Sequence, residues 1–235
     1  MDSEPKFHWG REFVQKELKK IKDKEPGLSE QGARDHLAQR LKNQMLRREI
    51  ARKMKDSLSG LHNKDYFLRK LREIFALNQR KKGEMTLLIL DSDNLKAINE
   101  SQGHPAGDQH IKALGEIIGE IFRRQTDLKA LVEGAEEVTA RYGGDEFVVL
   151  LPSTPLADGL MLAEKVRKMA EEQLGTTVSI GAASFPNDNI SSPDDLFNAA
   201  DSALLAVKHN GKNNTAVWRG SGNIEIQPKV VASAK

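Results

Sequence analysis

The stretch Glu137-Val138-Thr139-Ala140-Arg141-Tyr142-Gly143-Gly144-Asp145-Glu146-Phe147-Val148-Val149-Leu150-Leu151 reads as two short strands folded back on each other. Glu137 to Tyr142 and Phe147 to Leu151 are strand-like, and Gly143-Gly144-Asp145-Glu146 between them supplies the glycines that a tight reversal needs. Upstream, Thr86 to Asp91 is apolar enough for a central strand buried on both faces, and Pro105 to Arg123 carries Ile111, Leu114, Ile117, Ile118, Ile121 and Phe122 at helical spacing. A helix over 64–79 precedes them. Downstream, the pattern predicts a helix over 156–172, a strand over 176–184, a helix over 193–209 and a strand from Thr215 to Trp218. This alternation from residue 60 onward predicts an α/β domain. The tail from Gly220 is expected to be loosely held, although Ile224 to Val231 could add an edge strand.

The first part of the chain is polar. It predicts one helix with Phe13, Val14, Leu18 and Ile21 on a single face, a break at Pro26-Gly27, and a second helix along which Leu37, Leu41, Met45, Leu46, Ile50, Met54 and Leu58 recur. The heptad frame set by Leu37 and Leu41 meets Gln44 and Arg48 next, so the stripe is amphipathic without being a proven coiled coil. It could pack on its own domain or on a second copy of the chain.

Composition narrows the function classes. With 235 residues, 38% of them hydrophobic and 30% charged, the chain can bury one sizeable core plus an extension, or form two small domains. No apolar run approaches the roughly 20 residues that cross a bilayer, and Met1 to Trp9 lacks a signal-peptide core, which predicts a cytoplasmic protein without a transmembrane segment. The absence of cysteine removes disulfides, thiolate metal sites and a cysteine nucleophile. A net charge of +2 is too small to argue for nucleic acid. Residues 1–56 hold 15 Lys or Arg against 10 Asp or Glu, a surplus read as a solvated helical face because aromatics are not interleaved with it.

Asp91 ends the central strand while Asp145 and Glu146 sit in the hairpin bend, so a sheet that places these strands side by side brings three carboxylates together. Two such charges about 4 Å apart repel by about 4 kcal/mol at an effective dielectric of about 20, enough to force protonation unless a cation intervenes. Mg²⁺ suits such a sparse set of hard oxygens because it keeps several waters and is shared with substrate phosphates. Solvated acids at strand ends are the alternative. Between the acids run Asp91-Ser92-Asp93-Asn94-Leu95-Lys96, Asn99 and Gly103-His104-Pro105-Ala106-Gly107-Asp108, expected as a loop entering the helix near Pro105. Lys96 could neutralise developing charge, and Asn99 with Asp108 offers donors and acceptors to a purine edge. Taken singly, such residues are more often turn formers and caps.

Arg141-Tyr142-Gly143-Gly144-Asp145-Glu146-Phe147 resembles the signature of the GGDEF diguanylate cyclase family. Asp56-Ser57-Leu58-Ser59-Gly60-Leu61-His62-Asn63, Asp91 to Asp108, Thr177-Val178-Ser179-Ile180-Gly181, and Ala200-Asp201-Ser202-Ala203-Leu204 to Asn213 resemble its other motifs, in order. The resemblance implies an α+β fold, an α/β sandwich with a central, mostly antiparallel sheet flanked by helices, like the palm of class III nucleotidyl cyclases. It divides the chain into a helical N-terminal extension at 1–55, a candidate for regulation or dimerisation, a catalytic domain at 56–219 and a tail at 220–235.

By the same resemblance the activity is condensation of two GTP molecules into cyclic di-GMP, with Mg²⁺ or Mn²⁺, across a homodimer, under a possible sensor or regulatory partner held by the N-terminal helices. Asp91, the Ser92 carbonyl, Asp145 and Glu146 would hold the metal, with Asp145 also catalytic and Lys96 steadying the transition state. Asn99, His104 and Asp108 would line the guanine pocket, Lys208 and Lys212 would contact phosphates, and Gly143 and Gly144 would form the substrate-facing bend. Ser92 stands where the family prefers Ile or Val, Leu95 for Phe, Leu205 for Tyr, Val207 for Ala and Lys212 for Arg; none removes a metal ligand. The family's product-inhibition element falls here on Gly134 and Glu137, so it is missing at its usual spacing. Arg124-Gln125-Thr126-Asp127 is either a displaced inhibitory site or a polar cluster at a helix end. Two alternatives remain: a module that binds GTP or cyclic di-GMP without chemistry, and a cyclase making a mixed cyclic dinucleotide.

Overall fold

The computed structural model describes residues 10–129 and 137–228, with the side chains of residues 47, 48, 51 and 123–129 outside that description. The chain separates into two compact units, one ending at Lys53 and one starting at Met54.

In the first unit α1 (Arg11–Lys24) and α2 (Glu30–Lys53) pair around Ile21, Ala33 and Leu37, with Val14, Leu18, Leu28 and Leu41 packed against them. The backbone N–H of Gly32 donates to Ser29 Oγ at 3.1 Å, which closes the first turn of α2 after the Pro26-Gly27 break. Two expectations fail here. Phe13 lies off the buried face and is exposed. The apolar stripe does not run on to Leu58, because α2 ends at Lys53 and Leu58 packs instead into the core of the second unit.

The second unit is built on a six-stranded sheet in the order β2-β3-β1-β4-β5-β6. Its strands are β1 (Met85–Ser92), β2 (Val138–Gly143), β3 (Glu146–Pro152), β4 (Val178–Phe185), β5 (Thr215–Gly220) and β6 (Asn223–Ile226). All neighbours run antiparallel except β4 and β5, so the mostly antiparallel α+β fold is borne out. Every residue of β1 is buried, because side chains alternate between two cores. Leu88 and Leu90 pack with α5 (His104–Lys129) and α6 (Leu156–Leu174), whereas Met85, Leu87 and Ile89 pack with α3 (Lys64–Lys81) and α7 (Pro193–His209). Gly181 lets α7 lie directly on β4: a Cβ there would strike the carbonyl of Ala200 and the backbone nitrogen of Leu204.

The sequence missed α4 (Leu95–Gln102), expected as part of a loop. It has no fully buried residue, so its apolar period is faint; Leu95 packs on the core, and Gly103 ends the helix at φ +83°. The tail is also better held than expected. β6 pairs with β5, and the N–H of Gln227 donates to the Thr215 carbonyl at 2.8 Å; residues 229–231 of the expected edge strand lie outside the described residues. Among the described residues no helix is long and apolar enough to cross a membrane.

Candidate functional site

Side-chain alternation carries Asp91 onto the face that Ile89 and Leu87 occupy, next to α7, and the register sets Glu146 of β3 and Ser179 of β4 on either side of it. In the last turn of α7, Lys208 reaches Asp91 Oδ2 with its Nζ at 2.7 Å. Burial, together with the charges of Asp145 and Glu146, pushes the Asp91 carboxyl up to about 6, against the hydrogen bond and charge of Lys208. Burial works to lower the Lys208 ammonium, but Asp91, Glu146 and Asp145 carry it above the ordinary lysine value. The three predicted acids therefore share one end of the sheet and feel one another's field. They do not form a finished cage: among the described residues no group of three or more His, Asp or Glu is gathered to hold a metal ion.

Gly144, at φ +45°, makes the bend from β2 to β3 with Asp145. Arg141 fixes this bend by donating from Nε at 2.9 Å and Nη2 at 2.7 Å to the Gly144 carbonyl, while its Nη1 lies 3.4 Å from Asp56 Oδ2. A register shift between Arg141 and Gly143 bulges the strand just before the turn, a common way to re-aim side chains beside a site. The N–H of Ser92 donates to the Asp145 carbonyl at 3.3 Å, joining the hairpin to the end of β1. The Ser92 hydroxyl turns the other way and meets His110 Nε2 of α5 at 2.7 Å. Burial lowers the His110 imidazole, partly offset by the charge of Asp145.

The remaining predicted residues surround an open depression of about 370 Å³ lined by Leu95, Lys96, Asn99, Glu100, His104 and Asp145. Asn99 lies so close to α5 that a Cβ on Gly107 would meet its Oδ1, so a larger residue there would displace the Asn99 amide. Lys96 extends into solvent with its Nζ 3.8 Å from Glu100. Asp108 is exposed on α5 and is not among the residues lining the depression. Lys212 donates to the Asp93 carbonyl at 3.1 Å. Arg124 and Asp127 fall in the last turns of α5, where side chains lie outside the described residues, as does Gly134.

Three organising residues escaped the sequence reasoning: Arg141, His110 and Asp93. Arg141 stands in the quoted signature and could have been found by asking what holds a Gly-Gly bend. His110 was traceable to the Ser92 departure, since a hydroxyl in a buried position needs a partner. As a donor set, the carboxylates of Asp91, Asp145 and Glu146 with the Ser92 carbonyl are hard oxygens, and Asp91, pushed up by burial and then by its acidic neighbours, would be relieved by a cation, which fits Mg²⁺ or Mn²⁺.

Comparison with known proteins matches residues 53–214 to the family model described as "Diguanylate cyclase, GGDEF domain". The diguanylate cyclase DgcS of Shewanella oneidensis is 33% identical over 183 residues, which cover 75% of this chain and 57% of DgcS. The GGDEF domain of DgcB from Caulobacter crescentus, solved with c-di-GMP, superposes with a TM-score of 0.62 at 26% identity over 71% of this chain and 94% of that one. The diguanylate cyclase SiaD of Pseudomonas aeruginosa, solved with its activator SiaC, gives 0.63 at 25% identity over 88% of this chain and 75% of that one. The chain spans only 25% to 57% of the length of the curated relatives it matches.

Proposed function

This chain belongs to the diguanylate cyclase GGDEF domain family, and from that membership we propose that it condenses two GTP molecules into cyclic di-GMP at a site shared between two copies of the chain. The observation that carries the reading is the placement of Asp91, buried at the end of β1, directly opposite Glu146 and joined through the Ser92 N–H to the Asp145 carbonyl, so that three acids share one end of the sheet. In the reaction the 3′-oxygen of each GTP attacks the α-phosphorus of the other. Two P–O bonds form, two bonds to pyrophosphate break, two pyrophosphates leave, and each hydroxyl gives up its proton. One domain presents one nucleotide, so a monomer is inactive and turnover depends on twofold pairing.

Asp91, the Ser92 carbonyl, Asp145 and Glu146 would hold Mg²⁺ or Mn²⁺, which when bound lowers the cost of deprotonating the 3′-hydroxyl and neutralises phosphate charge. Lys208 keeps Asp91 ionised beside its acidic neighbours and, with Lys212, meets the phosphates. Gly143 and Gly144 leave the bend without bulk where the triphosphate approaches. Lys96 steadies charge on the transferring phosphorus. Asn99, His104 and Asp108 recognise guanine, with the Asp108 carboxylate accepting from the N1 and N2 donors. The reaction takes place in the cytoplasm, where GTP is available. The N-terminal helices set the dimer geometry, directly or by docking a regulatory partner; that a similar cyclase takes such a partner is seen in SiaD, solved in complex with its activator SiaC.

The second reading, nucleotide binding without turnover, draws on one observation: Lys208 already sits on Asp91. One assay separates the readings. Purified protein incubated with GTP, ATP and Mg²⁺, with products resolved by mass, yields cyclic di-GMP and pyrophosphate; unchanged GTP supports the binding module, and an adenine-containing product a mixed cyclase.

A further inference from the structure

Asp93 repeats the acid of Asp91 two residues on, and on sequence it could pass for a fourth carboxylate on the cation. Its surroundings give it a different task. Asp93 Oδ2 accepts from Thr177 Oγ1 at 2.6 Å and from the backbone N–H of Asn213 at 3.1 Å, and Oδ1 accepts from Ser179 Oγ at 2.5 Å. Its own N–H donates to the Thr177 carbonyl at 3.0 Å, and its carbonyl accepts from Lys212 Nζ at 3.1 Å. A carboxylate offers about four acceptor positions, and with three filled by protein donors little remains for a cation.

These bonds tie three segments at one point: the end of β1, the start of β4, and the loop from α7 to β5 that carries Lys212 and Asn213. That loop needs holding. Lys212 and Asn213 take φ values of +60° and +47°, successive left-handed residues without a glycine, a conformation that persists only when its surroundings over-determine it. The other side of the loop is buttressed by Arg167 of α6, itself 5% exposed, whose Nη1 donates to Asn213 Oδ1 at 2.6 Å. Glu164 and Glu171 grip the same guanidinium at 2.8 and 3.0 Å. Asn213 is thus pinned through its backbone by Asp93 and through its side chain by Arg167, and Lys212 is presented between them.

Resting on the nucleotidyl-transfer reading above, we propose that Asp93 is a positioning residue that acts through Lys212: it fixes the left-handed Lys212-Asn213 loop, and so the ammonium offered to the nucleotide phosphates, without binding the cation. Lys212 in place of the family's Arg sharpens this dependence. A lysine lacks the fork that would orient it on a phosphate, so its location has to come from the loop.

The test uses the full chain and a non-reacting GTP analogue with a methylene bridge between the α- and β-phosphates, and compares wild type, D93N, K212A and the double variant. Affinity is measured at saturating Mg²⁺, Mg²⁺ is then titrated at fixed analogue, and backbone exchange at Asn213 is followed by NMR. D93N is expected to weaken the analogue about tenfold and to speed Asn213 exchange about tenfold or more, while leaving the Mg²⁺ midpoint within about twofold of wild type. The double variant should be no more than about twofold weaker than either single variant, because both remove one function. A Mg²⁺ midpoint raised about tenfold would make Asp93 a ligand, and single-variant losses that multiply to about a hundredfold would sever it from Lys212; either result overturns the proposal. Should D93N fail to fold, Thr177→Val removes one donor at constant shape and must show the same pattern in weaker form, or the idea is wrong. If wild type binds no analogue, the nucleotide reading fails and the proposal with it; Asn213 exchange in D93N then tells whether Asp93 holds the loop for some other purpose.

Discussion

Replacing Asp91 by Asn should make the metal-free protein more stable while destroying its chemistry. Asp91 ordinarily titrates at 3.8 and is pushed up to about 6 in the folded protein, so its protonated form favours folding. That contribution is fully present below 3.8 and disappears as the pH rises through about 6. The gap of about two units corresponds to about 3 kcal/mol as an upper limit, and solvent at the mouth of the site reduces it to about 1–2 kcal/mol. At pH about 8 in chelator, Asp91→Asn should therefore exceed wild type by about 1–2 kcal/mol in urea denaturation, with the advantage narrowing by about 1 kcal/mol at pH about 5. Mg²⁺ with GTP should raise the midpoint of wild type and leave the variant unmoved. A variant less stable than wild type at pH about 8 would show that the Lys208 ion pair outweighs burial and repulsion, and the electrostatic case for a cation at this position would collapse.

Ser92→Val alone strands His110 Nε2 in a buried position and should cost about 1–3 kcal/mol, whereas Ser92→Val with His110→Val replaces both partners by apolar groups and should return to within about 1 kcal/mol of wild type, as read by denaturation. Arg141→Met frees the Gly144 carbonyl and leaves Asp56 without its guanidinium, so about 1–3 kcal/mol of stability and most turnover should go together; retained turnover would mean that the bend holds itself. Deleting residues 1–50 should leave GTP affinity intact and lower turnover in a coupled pyrophosphate assay, and undiminished turnover would reject a regulatory role for the N-terminal helices.

The fold was legible wherever burial imposes a period. β1 is apolar at four successive positions, Leu87 to Leu90, because both its faces are covered, and α5 spells its buried side through Ile111, Leu114, Ile118 and Ile121. α4 was illegible for the opposite reason: it buries nothing completely, and its helical state is set by Leu95 docking on a core that local sequence does not display. β6 was half-legible. Its four residues alternate polar and apolar, and Ile224 packs on Ala203, Val207 and Ala216, but so short a run does not specify a strand without the ladder bonds to β5 that hold it.

At the site, sequence order identified the acids but not their partners, since partnership is made by the sheet. Asp91 and Glu146 are 55 positions apart in the chain and directly opposed in the β1–β3 register, so any reading that places both strands brings them together. Lys208 is different. Its reach to Asp91 depends on which face of α7 meets β1, and that is decided by close helix packing over Gly181, a glycine the sequence offers without saying why it is small. Asp93 carries the same lesson further. Asp91 and Asp93 are one residue type two positions apart on one strand end, yet the first has Lys208 as its partner and is still pushed up by burial and by Asp145 and Glu146, while the second has its acceptors filled by Thr177, Ser179 and Asn213. What separates a cation ligand from a structural clamp here is the supply of donors around each carboxylate, and those donors arrive from β4 and from the loop after α7, segments more than eighty residues away.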